Sequence, residues 1–118
     1  MKEENTSNNQ MSEVMSSIQE TEQNVVQVLR KIYDPEIPVN IYEMGLIYNI
    51  DVAPMGIVNI RMTLTSPSCP AAESLPPEVK AKVAAIPGVS DANVEVVWEP
   101  TWTPDRMTEA AKLELGMI

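Results

Sequence analysis

The chain has 118 residues, 44% of them hydrophobic, with eight Lys and Arg against seventeen Asp and Glu for a formal net charge of -9. That length supports one domain with one modest core, and the acidity disfavours generic binding to nucleic acid or to anionic membranes. One cysteine and no histidine exclude an intramolecular disulfide, a Cys–His catalytic pair and a self-contained zinc or four-thiolate iron–sulfur site.

The opening segment MKEENTSNNQ lacks the apolar stretch of a signal peptide, and no run approaches the roughly 20 apolar residues that span a bilayer. A cytoplasmic location is the expectation. Residues 1–19 are polar and read as a disordered tail, which leaves 20–118 as the domain. Val25, Val28, Leu29 and Ile32 recur at helical spacing and predict a helix over 20–32, stopped by Asp34-Pro35. In DPEIPVNIYEMG, residues 34–45, two prolines argue against helix and central strand alike. Its apolar residues Ile37, Val39, Ile41 and Met44 predict a loop laid against the body, and Gly45 offers a positive φ.

Two strands follow. In LIYNIDV, Leu46, Tyr48, Ile50 and Val52 share one face; in IVNIRMTLT, Val58, Ile60, Met62 and Leu64 share one face, with Asn59, Arg61, Thr63 and Thr65 on the other. This two-residue alternation, joined through APMG, predicts an antiparallel hairpin. Leu75, Val79, Val83 and Ile86 predict a second helix, which either begins at Pro76 after a separate turn or begins at Pro70 and bends at Pro76-Pro77. ANVEVVWEP predicts a third strand with Val94, Val96 and Trp98 inward. Thr103-Pro104-Asp105 reads as cap, first-turn proline and first-turn acid of a helix over 104–115, packed through Met107, Ala110 and Ala111. The fold class is α/β (α+β): helix-strand-strand-helix-strand-helix, a small mixed sheet with helices on one face, strands two and three parallel.

Cys69 lies in TSPSCP, at the predicted strand-to-helix junction, where unpaired N–H groups and the helix field stabilise a thiolate. Ser68 or Cys69 is the candidate cap, and Pro70 stiffens the first turn. The competing reading is a small hydrophobe closing the core. Without a base, the thiol suits holding a metal or cluster, or bonding transiently to a partner. Asp34 reads either as a turn residue capping nearby N–H groups or as a group beside Cys69, with Glu36 next to it. Thr63 and Thr65 line the approach or are merely strand-favouring. Trp98 and Trp102 divide between core and contact roles. No glycine-rich phosphate loop is present, so nucleotide chemistry has no apparatus and the protein does not read as an enzyme.

YDPEIPVNIYEMGLIYNI (33–50), MTLTSPSCPAAESLPPEV (62–79) and GVSDANVEVVWEPTWTPDRM (88–107) together resemble the MIP18 family, whose domain is also called DUF59. The resemblance spans about residues 22–117 and is strongest to single-domain, SufT-like bacterial members associated with the SUF system. It implies a MIP18-like fold and a role as an accessory factor in iron–sulfur cluster assembly or transfer. The family motif falls on Asp34, Glu36, Thr65 and Cys69, and its closing motif on Trp98, Pro100, Trp102, Thr103 and Pro104. The implied cargo is a transient cluster or iron shared with a second subunit or partner, without nucleotide. The implied partners are cluster scaffolds or carriers and recipient apoproteins, with a homodimer as one source of a second thiolate. Two alternatives remain: an interaction adaptor that binds no metal, and an assembly subunit like the phenylacetate-pathway protein PaaD, whose cysteine-rich C-terminal region has no counterpart here.

Overall fold

The computed structural model describes residues 2–35, 37–68 and 70–117, with side chains described from Met11 onward. Glu36 and Cys69 lie outside the described residues. The chain runs α1 (Lys2–Leu29), β1 (Ile47–Ala53), β2 (Ile57–Met62), α2 (Ala71–Ala84), β3 (Asp91–Val96) and α3 (Glu109–Glu114), with single 3-10 turns at Pro54–Gly56 and Pro104–Arg106. The sheet has the order β1-β2-β3. The β1–β2 pair is antiparallel and the β2–β3 pair parallel, as the alternation and the crossover helix require.

Alternation decides which sheet face is wet. Val58, Ile60 and Met62 are buried, while Asn59 and Arg61 between them are exposed. Across the parallel pair, Asn59 and Arg61 lie opposite Asn93 and Glu95. The Asn93 amide donates to Asn59 Oδ1 at 3.1 Å, and Arg61 meets Glu95 at 3.0 Å. Both helices therefore cover the other face, where Val25 and Leu29 of α1 and Leu75, Val79 and Val83 of α2 join the strand residues in one core.

Three expectations change, and the open alternative for α2 is decided. α1 spans Lys2–Leu29, starting well before the helix expected over 20–32. Helix propagates cheaply from an anchored turn through good formers such as Glu and Gln. The β1 alternation breaks at a bulge between Ile47 and Asn49. Ile47 packs on the core, and Tyr48, expected inward, instead donates its hydroxyl to Pro100 O at 2.7 Å. α2 is a single helix from Ala71 with Pro76 and Pro77 inside. Each interior proline costs about 3 kcal/mol, and burial of Leu75, Val79 and Val83 at about 1.5–3 kcal/mol each offsets the pair. Finally, the last helix is split. Met107 is extended (φ -69, ψ 147) between the 3-10 turn and α3, because its side chain drops into the core. The cap is Thr108, which accepts from the Ala111 N–H at 3.1 Å, rather than Thr103. Ala111 is buried as expected, but Ala110 is exposed.

Candidate functional site

Three connections gather at one end of the sheet, where β1 begins and β2 and β3 finish. Ile47 pairs with Met62. One residue further out, the Thr63 N–H donates to Leu46 O and the Val97 N–H to Met62 O, both at 2.8 Å. The loop 33–46, the loop 63–70 and the loop 97–107 all leave the sheet here. They carry the sequence-predicted residues Asp34, Thr63, Thr65, Ser68, Pro70, Trp98 and Trp102.

The first loop is built by its own backbone. Tyr33 and Asn40 form a β-bridge, and the Ile41 N–H donates to Ile32 O at 2.8 Å. Asn40 Oδ1 accepts from the Glu43 N–H at 2.9 Å, so the asparagine caps the turn that follows. Val39, Ile41 and Met44 are buried, as their apolar character predicted. Asp34 sits at the base of this loop, buried at 5% exposure and engaged by a partner. A carboxylate so deep requires such engagement. Gly45 takes φ +78, the conformation that glycine adopts without a Cβ penalty.

The second loop is anchored at both ends and open between them. Thr63 and Leu64 are buried, and Ala71 is buried at the far end. The sequence pattern set Thr63 on the solvent face. The strand ends at Met62, so the alternation no longer applies, and the Thr63 hydroxyl turns to Leu64 O at 3.5 Å. Thr65 and Ser66 are half-buried; Pro67, Ser68 and Pro70 are exposed. Ser68 is not the cap of α2. Its hydroxyl lies 3.0 Å from that of Ser66, and its N–H donates to Ser66 Oγ at 3.3 Å. Pro70 occupies the cap position and makes no side-chain cap bond, and its carbonyl accepts from the Glu73 N–H at 3.4 Å. Cys69, between Ser68 and Pro70, lies outside the described residues, as does Glu36.

The third loop is tied to the first. The Trp102 Nε1–H donates to Met44 O at 2.8 Å, and the Thr108 N–H donates to Glu43 O at 3.0 Å. The Thr108 hydroxyl also donates to the Glu43 carboxylate, which faces Arg30 at 3.7 Å. Arg106 stacks over the Tyr48 ring at 4.6 Å, a cation–π contact. The two tryptophans thus separate. Trp102 is a half-buried brace, while Trp98, expected inward on β3, lies beyond the end of the strand and is 41% exposed. Sequence reasoning missed Asn40, Glu43, Tyr48, Arg106 and Thr108, which hold the loops together. Two of them carried a local signal: Thr108, followed by an acidic residue and a short helical pattern, and Asn40, an N-cap residue type with Glu43 three residues on.

Among the described residues, no three His, Cys, Asp or Glu side chains come together as metal ligands do. With one cysteine per chain, a cluster held at this end would take most of its ligands from outside the chain.

Residues 22–96 match the family described as iron-sulfur cluster assembly protein. An Fe-S protein maturation auxiliary factor from Porphyromonas gingivalis is 48% identical over 99 residues, covering 84% of this chain and 94% of the relative. The Fe-S protein maturation auxiliary factor SufT of Staphylococcus aureus is 40% identical over 86 residues, covering 73% of this chain and 98% of the relative. A crystal structure of a domain of unknown function, DUF59, from Bacillus anthracis matches with a TM-score of 0.81 at 33% identity, covering 88% of this chain and 99% of that one.

Proposed function

This chain belongs to the family of iron–sulfur cluster assembly proteins, and on that footing we propose that it is an accessory factor in the maturation of iron–sulfur proteins, acting through Cys69. The observation that carries the role is the likeness, over 84% of the chain, to a maturation auxiliary factor. The construction of the loop 63–70 supports the choice of residue. Thr63 and Leu64 at its start and Ala71 after it are buried, Pro67, Ser68 and Pro70 are exposed, and Pro70 opens a 14-residue helix without a side-chain cap bond. A thiolate in such a loop lies in the positive field of the helix start.

The cluster, or iron, is cargo. Cys69 supplies one thiolate, and the other ligands come from a carrier, a recipient, a small thiol or a second copy of the chain. Hand-over is then thiolate exchange at iron: each Fe–S bond lost to one protein is replaced by one to the next, with no net oxidation. Nothing in that step needs a catalytic base or a nucleotide, which suits a chain without histidine or a phosphate loop. Asp34, buried at the root of the neighbouring loop, serves by fixing that loop. The exposed Trp98 serves as a contact for the scaffold, carrier or recipient protein.

Anaerobic reconstitution with ferrous iron and sulfide tests this reading. The wild type is expected to develop sulfide-to-iron charge-transfer absorption, alone or with a small thiol added, and Cys69→Ser is expected to stay colourless while remaining folded. Equal colour in both proteins, or none in either, contradicts the role of Cys69. A colourless protein that still binds scaffold or recipient proteins favours the adaptor.

A further inference from the structure

The opposite end of the sheet carries a second surface. Here the 3-10 turn Pro54–Gly56 joins β1 to β2, and the middle of α1, from Glu13 to Thr21, passes beside it. Between them lies a groove of about 640 Å³, with Val14, Ile18, Val52 and Met55 among its walls. Met11 and Met15 continue the α1 stripe beyond the groove. Met11, Val14, Met15 and Ile18 repeat at i, i+3, i+4 and i+7, the spacing of one helix face. The same face continues into Val25 and Leu29, which are fully buried. One stripe is thus covered over its second half and bare over its first, with Met15 59% exposed.

Met55 makes the surface harder to dismiss as accident. It is 88% exposed and takes φ +76, a conformation that L side chains rarely adopt. The turn is nevertheless fixed. The Ser90 hydroxyl donates to Met55 O at 2.7 Å, and the Ser90 N–H donates to Gly56 O at 2.8 Å. The hairpin connection takes its positive φ values at Met55 and Gly56, as short hairpin turns do, and it holds the Met55 side chain out in solvent, where methionine adapts its shape to varied apolar partners.

Charge selects the occupant. Among the described residues, Glu13 is the one charged residue lining the groove. Residues 3–29 contain five Glu and no Lys or Arg, within a chain of net charge -9. A second copy would bring like charges together, and an anionic membrane would repel the surface. A helix with an apolar stripe flanked by Lys and Arg satisfies both the shape and the charge. We propose that the groove between the middle of α1 and the Pro54–Gly56 turn is a docking site for a basic amphipathic helix of a partner protein, anchored on Val14, Ile18 and Met55.

The probe is a synthetic peptide of about five helical turns, with Leu at i, i+3, i+4 and i+7 positions and Lys elsewhere, titrated into the full chain by calorimetry. A second peptide keeps the Leu stripe and replaces Lys with Glu. Met55→Gly removes the anchor without straining the turn, because glycine accepts the positive φ. Val14→Gln removes a second anchor and keeps a good helix former. The expected result is saturable binding of the Lys peptide, weakened about tenfold or more by charge reversal and about fivefold or more by each substitution. Thermal unfolding should confirm that both variants remain folded. No binding, equal binding of the two peptides, or binding untouched by both substitutions overturns the proposal. So does a concentration-dependent dimer, seen by sedimentation, that Met55→Gly and Val14→Gln dissolve, since the occupant would then be a second copy.

Discussion

Gly45 joins two of the three loops at the candidate site, and its replacement by alanine is a quantitative test of how they are braced. A Cβ built there would lie 2.2 Å from Arg106 O and 2.7 Å from Arg106 C, both backbone atoms that cannot swing aside. The residue also has φ +78. The left-handed conformation costs a residue with a Cβ about 1–2 kcal/mol, and forcing added volume into a packed contact costs about 1–3 kcal/mol more. Gly45→Ala should therefore lose about 2–5 kcal/mol of stability, a sizeable share of a small domain's total of about 5–15 kcal/mol. Gly88 supplies the control. It has φ +93, but nothing lies within 4 Å of the added Cβ, so Gly88→Ala should cost only the conformational part, about 1–2 kcal/mol. Urea unfolding of the wild type and both variants, followed by far-ultraviolet circular dichroism, measures the difference through the midpoints. Equal losses in the two variants would refute the claim that loop 33–46 is seated directly on the backbone at Arg106.

Two further substitutions probe the same bracing. Trp102→Phe keeps the ring packing but leaves Met44 O without its 2.8 Å donor; a loss of about 1–2 kcal/mol is expected in the same unfolding assay. Thr108→Ala removes the cap of α3 and the hydroxyl bond to the Glu43 carboxylate. It should cost about 1 kcal/mol and, in hydrogen exchange, speed the amides of Ala111 and Lys112 before those of β2.

Much of this architecture could be read from residue spacing because the spacing has a local cause. Alternation in IVNIRM marks one wet and one dry face, and β2 keeps both faces as written. The apolar residues of DPEIPVNIYEMG pack as expected because their burial needs no regular structure. Where the reading failed, a tertiary contact overrode the local pattern. Tyr48 leaves the core because a bulge shifts the parity of β1, and the reason is its bond to Pro100, 52 residues away. Met107 interrupts a plausible helix because the core takes its side chain. Thr63 turns inward because the strand stops one residue earlier. No single-segment pattern encodes the position of a strand end or a bulge. The candidate site was legible as a set of residues, since Asp34, Thr65, Ser68 and Trp102 fall in loops at one end of the sheet. Its braces Glu43 and Arg106 were not, because each acts through a residue distant in sequence; Asn40, which caps the Glu43 N–H three residues on, is local and was overlooked.

Cluster delivery measures the proposed role most directly. A loaded scaffold or carrier is mixed anaerobically with an apo-iron–sulfur protein, and the recipient's activity is followed with the wild-type chain, with Cys69→Ser, or with neither. The account predicts faster or more complete maturation with the wild type, and for Cys69→Ser the rate seen with no chain added. Stimulation by Cys69→Ser equal to that of the wild type would contradict it.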